Sequence, residues 1–401
     1  MPRKGIVVVS IDRIDTAEAF ASLAGAWGGA PAGDPGNVFL THPWLTAWWR
    51  VYGPGRSLCA LAASNGTGVA AVLPLVRERG PWGQRRLVLM GSGEVAPNHL
   101  DLVDAGGSPR PAGLVESFCD ELWQSRREWD VLDLVSVADG SVLHRDLPDA
   151  LRRRGCDVRV TPYTKCAVAE LPASFDEFLG KLGQGTRGEF RRKRRKLLKD
   201  VPSARFARVE DEAELERVFR EMVRLHQARW TRLGQSGSFA SPRFDAFHRS
   251  ASLEMLRRGW LRLYYLEAEG NVVAALYCFR AGRSVCYYAG GFDEAWKKHS
   301  VGVKTLAHAI EQSILEGAAA FDFLQGDEDY KSHWCTGWRD NWRVTVAAPH
   351  FRGRISGLAA AAGDRAVSLW RKHLPLETRR KIKGLLRRGG GGGGARIEDR
   401  G

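Results

Sequence analysis

The chain has 401 residues, 44% hydrophobic and 26% charged, with a formal net charge of +14. That length buries a sizeable core and accommodates two domains, and no apolar run approaches the ~20 residues that cross a bilayer. Seven cysteines, odd in number and without a CxxC pair, argue against a disulfide framework or a zinc site, and no metal is expected.

The positive charge is local. Residues 187–199, "RGEFRRKRRKLLK", carry eight Lys/Arg and one acid, and residues 351–401 carry thirteen and four. The remainder is close to neutral, so the charge describes two segments rather than the whole surface.

Along the chain, "PRKGIVVVSIDRID" starts as a signal peptide does, with Arg3 and Lys4 before an apolar run. Asp12 ends the run short of the ~7–15 residues of a secretory core, so the expectation is a strand at Ile6–Ile11 and a cytoplasmic chain. "THPWLTAWWRVYG" (41–53) predicts a helix with an aromatic face, and "NGTG" predicts a hairpin between "SLCALAAS" and "GVAAVLPLV". "RRLVLMGSG" and "PNHLDLV" follow, the latter offering Asp101 either to a substrate cleft or to a turn. Next come a helix over 112–128 and the strand "DVLDLVSV" at 130–137.

The second half has the same order. Residues 212–230 have helical periodicity, 260–279 read as a hairpin turning at "EG", and "SVCYYAGGF" is a further strand. A helix at 303–317 and the strand "AAFDFLQG" close the unit, with Asp322 of "FDF" in the place of Asp133 of "LDL". Helix, meander, helix, strand thus occurs twice, which predicts two tandem α/β domains of mixed α+β sheets. The expected layout is 1–165, 166–350 and a basic helical tail at 351–401 whose glycine-rich end is disordered. The joint is expected in the turn residues "TPY", "LPASF" and "GQGTRG" between 161 and 185.

Two segments point to chemistry. In "GFDEAWKKHSVGVKTLAHAI" (291–310) a strand leads through a small-residue turn into a helix. The unpartnered N–H groups of a helix start, its dipole of about half a positive charge, and Lys297, Lys298 and Lys304 would suit a pyrophosphate. The plain alternative is that Ser300 caps the helix and Gly302 eases its packing.

In "FDFLQGDEDYKSHW" (321–334), Asp322 sits inside an apolar strand and Gly326 permits a turn at its end. Asp327 and Glu328 could take a proton there, and Lys331 could steady an oxyanion. Against this stands an ordinary solvated loop with a Lys331–Glu328 surface pair. His226 and Trp230, one helical turn apart before a glycine-rich loop, are either a packed pair or the lining of a substrate channel.

These segments in this order, "LHQARWTRLGQSGSF…FHRSASLEML", "AGFDEAWKKHSVG" and "FDFLQGDEDYKSHW", with "FLTHPWLTAWWRVYG" upstream, resemble the BcsL/CelD-type acetyltransferase family. That family is named for cellulose-biosynthesis gene clusters and lies within the GNAT superfamily. It is similar in architecture to the Fem-type aminoacyl transferases, which also carry two GNAT-like units. The resemblance runs from about residue 37 to 346.

It implies acyl transfer from acetyl-CoA or another acyl-CoA, the carrier lying on Lys298, Ser300, Val301, Gly302, Val303 and Lys304. The family's usual "SPG" reads "SVG" here. Lys331 stands where the Fem relatives have the lysine assigned to the reacting carbonyl, with Asp327 and Glu328 as acid–base partners and His226, Trp230, Asp101 and Tyr330 toward the acceptor. The implied acceptor is an amine or hydroxyl of a small molecule or glycan precursor, in polysaccharide or envelope synthesis.

Fem-like transfer from charged tRNA is the alternative, and a non-enzymatic basic module the third. The basic run lacks interleaved aromatics to stack on bases, so nucleic acid is not the expected partner. An anionic membrane surface is the candidate partner of the tail, through residues 365–388 with Trp370, at the inner membrane face.

Overall fold

A computed structural model describes residues 9–27, 36–66, 68–104, 111–183, 186–326 and 328–373. The chain divides into two compact units, one built mainly of Phe39–Thr164 and the segment from Asp340 onward, the other of Lys165–Arg339.

The first unit contains β1 (Ser10–Ile14), α1 (Ala17–Ser22), α2 (His42–Tyr52), β2 (Ser57–Leu58), β3 (Ala60–Ser64), β4 (Val69–Leu73), β5 (Leu75–Arg79), β6 (Arg85–Leu89) and β7 (Val103–Asp104). It continues with α3 (Leu114–Gln124), β8 (Val131–Ala138), α4 (Val142–Arg153) and the start of β9 (Asp157–Glu170). The end of β15 (Gly337–Ala347) and α11 (Phe351–His373) complete it.

Thr41 caps α2, a proline stands in the first turn, and Trp44, Leu45 and Trp48 are buried on one face. The predicted hairpin forms, β3 with β4. Pro74, which has no N–H to give a ladder, separates β4 from β5. The meander therefore feeds two sheets, β1-β3-β4-β7 and a second in which β15, β8, β6, β5 and β2 are neighbours in that order.

The second unit holds α5 (Phe175–Lys181), α6 (Thr186–Asp200), β10 (Arg205–Arg208), α7 (Glu212–Arg232), α8 (Pro242–Arg257), β11 (Leu261–Ala268), β12 (Asn271–Ala281) and β13 (Ser284–Phe292). After these come α9 (Val301–Leu315), β14 (Ala320–Gln325) and α10 (Asp329–Trp334). Its strands lie in the order β10-β11-β12-β13-β14, with the end of β9 beside β14. Glu269 and Gly270 both have positive φ, the requirement of a two-residue turn that matches strand twist. Phe178, Tyr264, Leu306, Ile310, Phe321, Phe323 and Trp334 form one core under this sheet.

Several expectations are corrected. "TPY" at 161–163 does not turn: it lies inside β9, and the division between units falls within that strand, after Thr164. The second unit ends at Arg339 rather than at 350, because the rest of β15 pairs with β8. β1 begins at Ser10; residues 6–8, like Asp327 and the six glycines at 389–394, lie outside the described residues. The basic run forms most of α6, anchored by buried Leu197 and by ion pairs of Arg191 to Asp176 and Arg194 to Glu311.

Candidate active site

β13 has nine residues, yet it pairs with its parallel neighbour β14 only through Ser284↔Ala320, Val285↔Phe321 and Cys286↔Asp322. The cause lies in β14. The Asp322 carboxylate accepts the Leu324 N–H at 2.8 Å, and Leu324 takes φ +57°. That local bond removes a donor from the ladder and turns the strand. β13 meanwhile continues along β12 as far as Ala274↔Phe292. A bulge sets in there, because Cys278 opposes Tyr287 while Tyr277 opposes Ala289. From Tyr287 to Phe292, then, no described strand covers one edge of β13.

The start of α9 faces the open end of this gap. Gly302 lies against Phe292, the last residue of β13, and a Cβ there would stand 3.0 Å from the ring. Ser300 is left-handed (φ +50°, ψ +42°) and its side chain does not cap the helix. Val301 is buried, its side chain in a cluster with Leu197, Val273 and Trp296, so only its backbone faces outward. Val303 is 45% exposed.

The two lysines differ. Lys298 is exposed, whereas Lys304 is buried and donates its ammonium to the His299 carbonyl. Burial, and then nearby Lys193, lower its pKa. Lys304 therefore braces the turn instead of reaching a ligand, a correction to its expected role.

At the other side of the gap, residues 329–334 are helical, not an open loop. Lys331 is only 3% exposed and points back, donating to Gln325 O at 2.9 Å and Leu324 O at 3.5 Å. Its Nζ also lies 2.9 Å from Glu328 Oε2. That carboxylate oxygen is buried and within ion-pair distance, but no donor is aligned on it. The pair packs over Gly326 (φ +135°), where a Cβ would fall 2.3 Å from Glu328 Oε2 and 2.6 Å from Lys331 Nζ. The surface pair of a solvated loop is thus replaced by an internal one.

Tyr330 and Tyr287 join their hydroxyls beside this pair. Burial raises the Tyr287 phenol to about 12, with Arg229 of α7 opposing the shift, and it raises Tyr330 further. Sequence reasoning missed Tyr287 and Arg229. The one available signal was "CYYAGG", a strand with two polar-tipped rings before two glycines. Gly291 is the reason α7 lies so close, since a Cβ there would meet the His226 backbone nitrogen at 2.5 Å. Arg229, with Arg224, Leu225 and Phe292, also lines a cavity of about 130 Å³ at the end of β13.

His226 is a packed residue. Trp230 Nε1 donates to its Nε2 at 2.9 Å, leaving Nδ1 to face Gln227 Oε1 at 3.2 Å, and Phe239 stacks edge-on. Both nitrogens are occupied, so His226 offers no basic lone pair. Asp101 belongs to the first unit, where its carboxylate accepts the Leu143 N–H at the start of α4.

Residues 184–332 match the family model described as acetyltransferase (GNAT) domain. No curated protein matches the chain. Among solved structures it is similar to FemX, at 11% identity over 87% of this chain and 99% of that one, with a TM-score of 0.57. It is also similar to the C-terminal domain of a putative lysylphosphatidylglycerol synthetase from Agrobacterium fabrum (11%, 85% and 96%, 0.51). L-PGS from Bacillus licheniformis is a further likeness (10%, 86% and 95%, 0.51). At such identities these likenesses speak for a shared fold, and the fold is GNAT-like.

Proposed function

We propose that this chain, whose residues 184–332 match the acetyltransferase (GNAT) domain, transfers an acyl group from acyl-CoA, acetyl-CoA first among them, to an amine or hydroxyl of a small molecule or glycan precursor. The observation that carries the reading is the uncovered edge of β13 from Tyr287 to Phe292, open toward the start of α9. A pantetheine arm has two amides, which an uncovered strand edge binds as it would an added strand. Its pyrophosphate then meets the first N–H groups of α9, from Val301 to Val303, with Lys298 beside them, while the Ser300 N–H is already given to the Lys297 carbonyl. The thioester comes to the closed end of the gap, near Tyr287.

Glu328 takes the proton of the acceptor as its nitrogen or oxygen attacks the thioester carbonyl. The carbon–sulfur bond breaks, and the thiolate leaves and is protonated by solvent. Tyr287, whose hydroxyl stays protonated at neutral pH, donates to the developing oxyanion. Lys331 holds Glu328 and the end of β14 in place. The motif order shared with BcsL/CelD-type acetyltransferases supports polysaccharide or envelope synthesis as the setting.

Transfer from charged tRNA is the second reading. It draws on the likeness to FemX and on Arg192, Arg195, Lys196 and Lys199 of α6, exposed cations that pair with no carboxylate among the described residues. A thermal-shift screen with CoA, acetyl-CoA, longer acyl-CoAs and charged tRNA separates the two. A carrier at 100 times its dissociation constant adds about 2.7 kcal/mol of stability. A shift with an acyl-CoA supports the first reading, and a shift with charged tRNA alone replaces it with the second.

A further inference from the structure

The helix α11 is built inside out. Gly353 N–H donates to His350 Nδ1 at 3.1 Å where the helix begins. Gly353 and Gly357 then face inward: added Cβ atoms would lie 2.3 Å from Ala348 O and 2.6 Å from Ala347 Cβ. The helix thus rests on its own unit through two glycines.

Among the described side chains, its large apolar residues turn the other way. Phe351 is 79% exposed, Ile355 50% and Leu358 66%, and their spacing places them along one stripe. An ordinary surface helix points such residues at the core. Exposed Arg352 and Arg354 flank the stripe, one on each side, Arg352 with Nη2 3.8 Å from the buried Asp130 carboxylate. The segment from 351 to the end carries thirteen Lys/Arg against four acids. No described helix is long and apolar enough to cross a membrane.

We propose that α11 lies flat in the surface of an anionic bilayer, with Phe351, Ile355 and Leu358 among the acyl chains and the flanking arginines at the phosphates. An apolar stripe between two cationic rows matches the chemical gradient of that interface. The basic remainder of the segment adds attraction to anionic headgroups. The docking surface therefore begins at Phe351, upstream of the expected 365–388, and it stands independently of the acyl-transfer reading.

Co-sedimentation of the full chain with vesicles tests this, using phosphatidylcholine alone and phosphatidylcholine mixed with phosphatidylglycerol. The chain should pellet with the mixed vesicles and weakly with the neutral ones. The triple variant Phe351→Ser, Ile355→Ser, Leu358→Ser alters exposed positions only, so its melting temperature should hold while vesicle affinity falls about tenfold or more. Arg354→Gln, which leaves the Arg352–Asp130 pair intact, should weaken binding to the mixed vesicles alone. Equal binding by the triple variant, or none by the native chain, overturns the proposal. So does a dimer in sedimentation velocity that the triple variant dissolves without any vesicle binding, since a second copy would then cover the stripe.

Discussion

Gly326 has no room for a side chain, and that decides what Lys331 does. With the ammonium folded over the glycine and bound to two carbonyls, Lys331 organises the end of β14. Lys331→Met would leave those carbonyls and the half-buried Glu328 without their cation, so it should cost about 1–3 kcal/mol of stability as well as activity, read by denaturant melts. Glu328→Gln keeps the volume and removes the base. It leaves the buried Lys331 ammonium without its counter-ion, so it should melt below the native temperature, and it should turn over about 100-fold more slowly with donor affinity unchanged. Equal turnover would return the loop to a structural role.

In the first unit Asp133, the counterpart of Asp322, is held by arginines. Asp133 is buried, which alone would raise its pKa, but Arg343 and Arg86 outweigh burial and hold it at about 2. Since the folded value lies below the unfolded one, this stabilisation is present above about pH 4 and lost as pH falls through 2. It amounts to about 2–3 kcal/mol. Acid melts of Asp133→Asn should lack that slope between pH 4 and 2. An identical slope would locate the acid sensitivity elsewhere.

Among the elements, the β13–β14 gap was only half legible. "FDFLQG" read as a buried strand ending in a turn, and that strand is present. What the sequence could not show is that Asp322 would spend its carboxylate on the next-but-one N–H and bend the strand away. Nor could it show that Tyr287 would meet Tyr330, because a contact across 43 residues leaves no mark in local periodicity. The start of α9 was readable from its turn and charges; the inward swing of Lys304 was not.

This geometry also selects the better test of the carrier site. Gly302→Asp would press on Phe292, mixing a packing defect with the charge. Val303→Glu adds the same charge at an exposed first-turn position where the helix dipole favours an acid. The variant should melt normally and lose most of its acyl-CoA shift; an undiminished shift would move the phosphates away from α9.

At the scale of the whole chain, the two halves share a construction that the repeat of helix, meander, helix and strand had suggested. In each unit a three-rung parallel pair closes on an aspartate, Val88↔Asp133 in one and Cys286↔Asp322 in the other. Only the second aspartate lies beside a turn with an internal Lys–Glu pair; the first is locked between two arginines. The units thus keep a common frame, and the features suited to acyl transfer are in the second. Hydrogen–deuterium exchange of the full chain with saturating acetyl-CoA tests that assignment most directly. The account predicts protection concentrated in peptides covering residues 286–305 and 321–331, with the corresponding strand of the first unit, 131–138, unchanged. Binding that leaves 286–305 unprotected would contradict it.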